Sequence, residues 1–181
     1  VLADDGTGAH CLLPAGDLRA CRAAGLAALA ARQMLAPTVV TATVLGTRRA
    51  AQLQLATVAR HVPDSSHIAV SPTPTGRGRL EPRVVDQVDL AGIGLSVTRS
   101  VAEAVFGANL VLVADANPWP LDTGLLPKGA VIVNSTGHDL PDDLVNHVDQ
   151  IYVDDLRLLA TCPQRYVVKM HLAGPDHTRP R

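Results

Sequence analysis

The residues best suited to chemistry fall in four short segments, and each segment closes an apolar run. The run Val39 to Leu45, VVTATVL, stops at Gly46 and is followed by Thr47-Arg48-Arg49-Ala50-Ala51. Glycine there allows a sharp turn, and the free amides at the start of a following helix can hold a phosphate. Of the phosphate-binding pattern G-x-G-x-x-G/A, the first glycine is Gly46 and the last small residue is Ala51, but the middle glycine is Arg48. Arg48 and Arg49 open the next helix, where cations oppose the helix dipole unless an anion is near. They are either a side-chain phosphate clamp or a solvated pair filling a closed pocket. The second segment is Ser71 with Thr73, Thr75, Arg77 and Arg79. It lacks an acid for ribose hydroxyls and offers arginines to a 2′-phosphate, so NADP is favoured over NAD if a cofactor binds. The alternative is a polar loop with no ligand. The third and fourth segments are Asp115-Ala116-Asn117 and Ser135-Thr136-Gly137-His138-Asp139.

The elements that must position these residues alternate. Apolar runs are expected as strands at Val39–Leu45, His67–Val70, Ile93–Thr98, Asn109–Asp115, Ala130–Thr136 and Gln150–Asp155. Helices are expected from about Thr47 to Arg60 and from Ser100 to Phe106, with Ser71–Arg83 a loop. Continuous runs between helical segments mark a parallel sheet covered on both faces. Ligands of such sheets bind beyond the carboxyl ends of the strands, which is where the four segments lie. Ahead of the sheet, Val1 to Leu13 reads as a hairpin around Asp5-Gly6-Thr7-Gly8. A two-stranded hairpin is marginal in water, so it is expected to pair with another subunit or chain. Asp17 is a plausible N-cap for a helix of some five turns, its packing stripe formed by Leu18, Cys21, Arg22, Gly25, Leu26, Leu29 and Met34. Pro37 ends that helix, and the tail from Gly174 is expected to fray.

Composition bounds the function. The chain has 181 residues, 47% of them hydrophobic but only 2% aromatic, so its core must be aliphatic. A net charge of −1 gives no basic surface for nucleic acid or for a membrane face. Cys11, Cys21 and Cys162 have no metal-ligand spacing, so no metal site is expected, and a reducing, cytoplasmic compartment is the default. No apolar run reaches the length of a membrane span. The first residue is valine, which fits a start further upstream or a non-ATG start read literally.

Five motifs in order resemble the ornithine cyclodeaminase/μ-crystallin family of NAD(P)-dependent enzymes. DLRACRAAGLAALAARQML resembles its L-T-x-x-R-T-A-A-x-x-A-L-A helix. VLGTRRAAQLQL resembles its I-G-x-G-x-Q-A-x-x-Q-L turn, with Gly46, Ala51, Gln54 and Leu55 in register. ANLVLVAD, LLPKGAVIVNSTGHDLP and IYVDDL resemble its A-D-I-V-x-T-A, L-K-P-G-x-x-V-N-x-x-G-x-D-x-P and V-x-V-D-D segments. The departures are Arg48 for the middle glycine, Ala50 for a glutamine, Ser71 for the ribose acid and Ala23 for a threonine. The family's substrate domain, roughly a hundred residues by ordinary domain sizes, is represented only by its last hairpin and linking helix. The lysine and arginine that domain supplies to substrate have no counterparts here.

The resemblance implies an α/β fold: a Rossmann-like, doubly wound, mostly parallel sheet with an N-terminal β-hairpin and a long helix. Residues 1–36 would be the remnant of the substrate or dimerisation domain, 37–173 the dinucleotide-binding domain, and 174–181 a flexible tail. It implies NADP or NAD at Gly46, Thr47, Arg48, Arg49, Ser71, Thr73, Arg77, Asp115, Ala116, Asn134 and Thr136. It makes Asp139 the catalytic acid or base and Arg22 the anchor of a substrate carboxylate. The expected reaction is hydride transfer at the α-carbon of an amino acid or cyclic imine, in a homo-oligomer. The alternative is a degenerate, non-catalytic subunit that binds or assembles and carries no cofactor. Against these roles stand simpler ones: Asp139 and His138 as loop residues, Asp154 and Asp155 as caps, and Trp119 as packing rather than a stacking platform.

Overall fold

A computed structural model describes residues 2–4, 6–7, 10–12, 14–35, 40–62, 64–72, 78–116, 119–155 and 157–173. The chain divides into two compact units, Val1–Thr136 and Gly137–Arg181.

The first unit is built on β3 (Val40–Leu45), a six-residue strand buried at nearly every position. Five parallel strands lie in the order β5-β4-β3-β6-β7, with β4 at Ser65–Ser71, β5 at Gly94–Val97, β6 at Leu110–Val113 and β7 at Val131–Asn134. The β-branched content of these runs suits the pleated sheet, and burial on both faces explains why they are apolar throughout. The order steps outward from β3 in both directions, so the fold is α/β and Rossmann-like, as expected. Ahead of the sheet, β1 (Leu2–Asp4) and β2 (His10–Leu12) form the expected antiparallel hairpin.

One face of the sheet is covered by α1 (Ala15–Met34), α2 (Arg49–His61) and α3 (Pro82–Leu90), whose residues join Ala42, Val44, Ile68, Val70, Leu110 and Leu112 in one core. On the other face, Thr43 donates its hydroxyl to the carbonyl of Ala104 in α4 (Val101–Val105). Ser100 caps α4 as expected, accepting the Glu103 amide at 3.1 Å. The core is aliphatic, with Leu55, Ile68, Leu110 and Leu112 fully buried. Each contributes about 1.5–3 kcal/mol by leaving water.

Several expectations are corrected. Pro14, not Asp17, is the N-cap of α1, because the helix starts one turn earlier at Ala15. Asp17 lies in the first turn, where its carboxylate favours the helix dipole. The face that α1 buries is Ala24, Ala27, Ala28 and Ala31, while Leu18, Leu26, Leu29 and Met34 are exposed, Leu29 by 54%. α1 packs on α2, and the close approach of two helices selects methyl side chains. The expected loop ends early, because α3 begins at Pro82; proline's fixed φ and missing N–H suit a first helical position. Gln150–Asp155 is not a strand: it has no sheet partner, and Ile151 and Tyr152 are exposed.

The second unit carries the short helices α5 (Asp142–Asn146), α6 (Arg157–Thr161) and α7 (Tyr166–Ala173). Leu144, Val145 and Val168 are buried. Among the described residues, no helix is long and apolar enough to cross a membrane. The tail from Gly174 lies outside the described residues.

Candidate functional site

Register places the four sequence segments at one end of the sheet, up to Thr136. Leu45 pairs with Ser71 and Val113, and Val113 pairs with Asn134. Gly46, Ser71, Asp115 and Asn134 therefore stand at the carboxyl ends of four adjacent strands.

Gly46 makes the turn at φ +127°, a backbone region that costs a side-chain-bearing residue roughly 1–3 kcal/mol. Its amide donates to the Ser71 carbonyl at 2.8 Å. A Cβ on Gly46 would meet Asp115 Cγ at 2.5 Å and Oδ2 at 2.6 Å. The glycine thus admits a carboxylate. Asp115 Oδ2 accepts the Thr47 amide at 3.2 Å and the Arg48 amide at 3.4 Å. Asp115 is only 4% exposed. The first turn of α2 contains no acid of its own, so Asp115 supplies the anion that the helix dipole and the turn amides favour.

Asp115 is itself held by the backbone. Its amide donates to the Leu45 carbonyl at 3.2 Å, and its carbonyl accepts the Trp119 indole N–H at 2.9 Å. Trp119 is buried, and the one polar atom of its side chain is spent on this contact, which suits a packing role. Ala116 is exposed.

A second layer closes over the turn from residues the sequence did not single out. Buried Gln52 donates to the Thr47 carbonyl at 3.0 Å and accepts the Glu81 amide at 2.8 Å. A Cβ on Gly78 would fall 1.9 Å from Thr47 Oγ1, so a side chain there would force Thr47 to shift. Thr47 and Ser71 are both buried. Neither Gln52 nor Gly78 belongs to the turn pattern, and their role depends on chain segments about thirty residues apart coming together. Thr73, Thr75 and Arg77 lie outside the described residues.

The two arginines of the turn differ. Arg48 has φ −71° and ψ 176°, an extended conformation open to any residue, and its side chain is exposed. It therefore does not fill the seat beside Gly46. Arg49 pairs with Asp17 of α1 at 2.6 Å, the arginine largely and the carboxylate partly in solvent. Arg22 lies on the exposed face of α1.

At the β7 end, Asn134 Oδ1 accepts the Thr136 amide at 3.1 Å and its hydroxyl at 2.8 Å. Buried Gln54 donates to Ser135 Oγ, which donates to the Val113 carbonyl at 3.1 Å. Gln54 thereby ties α2 to the loop after β7.

In the second unit, Asp139 accepts Arg165 Nε at 2.7 Å and the Tyr166 amide at 3.1 Å. Burial pushes this carboxyl up. The Tyr166 amide, the Arg165 guanidinium and the Lys169 ammonium outweigh it and hold the group below the usual carboxylate value. Asp139 is therefore an acceptor at neutral pH and caps the start of α7. Asp155 is paired with Arg157 at 2.8 Å. Among the described residues, no group of three or more His, Cys, Asp or Glu could hold a metal.

No family profile matches the chain, and no curated protein matches its sequence. Solved structures do match its fold. CmnK superimposes with a TM-score of 0.71 at 18% identity, over 95% of this chain and 51% of that one. Thermococcus litoralis Δ1-pyrroline-2-carboxylate reductase, in complex with NADH and L-proline, gives 0.58 at 20% identity over 80% and 46%. A probable ornithine cyclodeaminase from Bordetella pertussis Tohama I gives 0.54 at 17% over 72% and 42%. The chain thus spans about half the length of the structures it matches, and its fold is one they share.

Proposed function

We propose that this chain is the dinucleotide-binding half of a protein of the ornithine cyclodeaminase/μ-crystallin family, and that the whole protein transfers hydride at the α-carbon of an amino acid or cyclic imine. One observation carries the reading: a positive-φ glycine between the middle strand of a β5-β4-β3-β6-β7 sheet and a helix, with the rim residues beside it. The solved structures of this fold include one holding NADH and L-proline, which supports a nicotinamide cofactor and an amino-acid substrate.

The turn fits a pyrophosphate in its placement and in its donors. It fits in charge only when the Asp115 carboxylate leaves the amides. The amides of Thr47, Arg48 and Arg49 would then hold the pyrophosphate, and the exposed Arg48 side chain would clamp it from outside. Ser71 and, by their place in the sequence, Thr73 and Arg77 are the proposed contacts of the adenosine ribose; with no acid among them, NADP is preferred over NAD. Ala116, Asn134 and Thr136 would complete the rim. The bound nicotinamide would supply or accept the hydride. Arg22 would grip the substrate carboxylate through its planar fork, and Asp139 would act as the acid or base that moves a proton at the substrate's α-carbon or nitrogen. The hairpin and the exposed face of α1 would meet the remaining domain or a second copy.

A second reading rests on Asp115. A turn whose amides already hold the chain's own carboxylate suits a non-catalytic subunit that carries no cofactor. Titration of the purified chain with NADPH and NADH, followed by nicotinamide fluorescence, separates the two. Saturation below millimolar is expected for NADPH. Lack of binding to both at millimolar concentration would count against the enzyme reading for this chain alone and favour the second reading.

A further inference from the structure

We propose that Asp115 is a built-in competitor for the dinucleotide: its carboxylate occupies the pyrophosphate seat and must swing off the turn amides before a cofactor can enter. The inference rests on the dinucleotide reading above and adds the residue that sets affinity.

Three independent features place the carboxylate there by construction. Gly46 is shaped around it, since any Cβ would collide with the carboxyl group. The two amides that close the turn both donate to the same oxygen, Oδ2. The backbone of Asp115 is fixed at its amide by Leu45 and at its carbonyl by Trp119. Movement is therefore confined to the side chain, a rotation about its own bonds, with the main chain staying in place. A dinucleotide brings its own negative charge to the same donors. While Asp115 remains, that charge meets a carboxylate and finds its hydrogen bonds taken. The apparent affinity is then the intrinsic affinity reduced by the fraction of molecules whose seat is open. Hydrogen bonds to charged groups are strong enough for this reduction to reach about tenfold or more.

The latch also accounts for Arg48. Position 48 needs no glycine for its backbone, and its side chain points to solvent. The block at the turn comes from the neighbouring strand, from just beyond the end of β6.

The test uses the full chain and two variants, Asp115→Asn and Asp115→Ala, titrated with NADPH and NADH by fluorescence and by calorimetry. Asparagine keeps the shape and removes the charge, so it guards against a variant that fails to fold. Melting curves by circular dichroism confirm that it folds. Expected results are at least about tenfold tighter binding for Asp115→Asn and a larger gain for Asp115→Ala. Without ligand, the Thr47 and Arg48 amides should exchange hydrogen faster in Asp115→Ala than in the parent chain. If the parent and both variants bind equally well, the latch is wrong and the dinucleotide reading stands. If binding weakens in both folded variants, Asp115 is a ligand to the cofactor and the latch is again wrong. If none of the three binds at millimolar cofactor, the latch and the dinucleotide reading fall together.

Discussion

Gly46→Ala tests the contact at the centre of the site without any ligand. Two costs add. The backbone at φ +127° resists a Cβ by roughly 1–3 kcal/mol wherever its neighbours lie. The new methyl also lands 2.5 Å from Asp115 Cγ, 2.6 Å from Oδ2 and 2.9 Å from Cβ, each about 1 Å inside the 3.5–4.0 Å at which such atoms pack. The carboxyl group must retreat, and its bonds to Thr47 and Arg48, long at 3.2 and 3.4 Å, are lost. At the low end for charge-assisted bonds, that loss with the overpacking is about 1–3 kcal/mol. Gly46→Ala alone should therefore destabilise the first unit by about 2–6 kcal/mol. In an Asp115→Ala background the collision with the carboxyl group is gone, and the backbone cost and the 2.9 Å contact with the Cβ of residue 115 remain. The double-mutant cycle, measured by urea denaturation, should show a coupling of about 1–3 kcal/mol between positions 46 and 115. Costs that add within about 0.5 kcal/mol would mean that the carboxylate does not sit against the glycine, and the argument for the occupied seat would fail.

Arg48→Gly should weaken dinucleotide binding in the same titration. The exposed side chain is then a lost clamp, and stronger binding would mean that Arg48 had been filling the seat. Leu55→Ala, at a position fully out of solvent, should cost about 2–5 kcal/mol in urea denaturation; a cost under 1 kcal/mol would displace Leu55 from the core. Arg165→Ala removes a guanidinium that lowers the Asp139 carboxyl. A depressed acid contributes stability above its unfolded value, about 4 for aspartate, and loses it as pH falls through the folded value. The gap between parent and variant in melting temperature should accordingly be present at pH 6 and shrink between about pH 4 and pH 2. The pair is part-exposed, so about 0.2–1 kcal/mol is at stake. A gap that is unchanged on acidification would assign Arg165 to packing.

The fold was legible where periodicity and composition agree. The runs at Val40–Leu45 and Leu110–Val113 are β-branched, continuous and bounded, and both are buried strands at the centre of the sheet. α1 was legible as a helix but not in its orientation, because leucine dominates any apolar count while close helix packing selects Ala24, Ala27, Ala28 and Ala31. α3 was hidden by the Pro, Gly and Arg residues ahead of it, although Pro82 at a helix start and Val84 and Val88 four apart carry its signal. Gln150–Asp155 had strand-like residues but nothing to pair with, and pairing is a property of the whole sheet. The site was legible at Gly46, whose requirement is local. Gln52 and Gly78 were illegible because their contacts join distant segments.

The turn sequence drew attention to Arg48, since a missing glycine is visible in a motif and an arriving side chain is not. The geometry reverses that weighting. A glycine is needed where the backbone adopts a forbidden conformation or where another atom must come close. Position 48 meets neither condition through its backbone, at φ −71°, whereas position 46 meets both, at φ +127° and with Asp115 against it. The atom that comes close to Gly46 is a protein oxygen rather than a phosphate oxygen. A retained first glycine therefore does not by itself attest a retained cofactor, because an internal carboxylate imposes the same requirement. What distinguishes the two cases is the partner of the Thr47 and Arg48 amides, and in this chain the residue to change is Asp115.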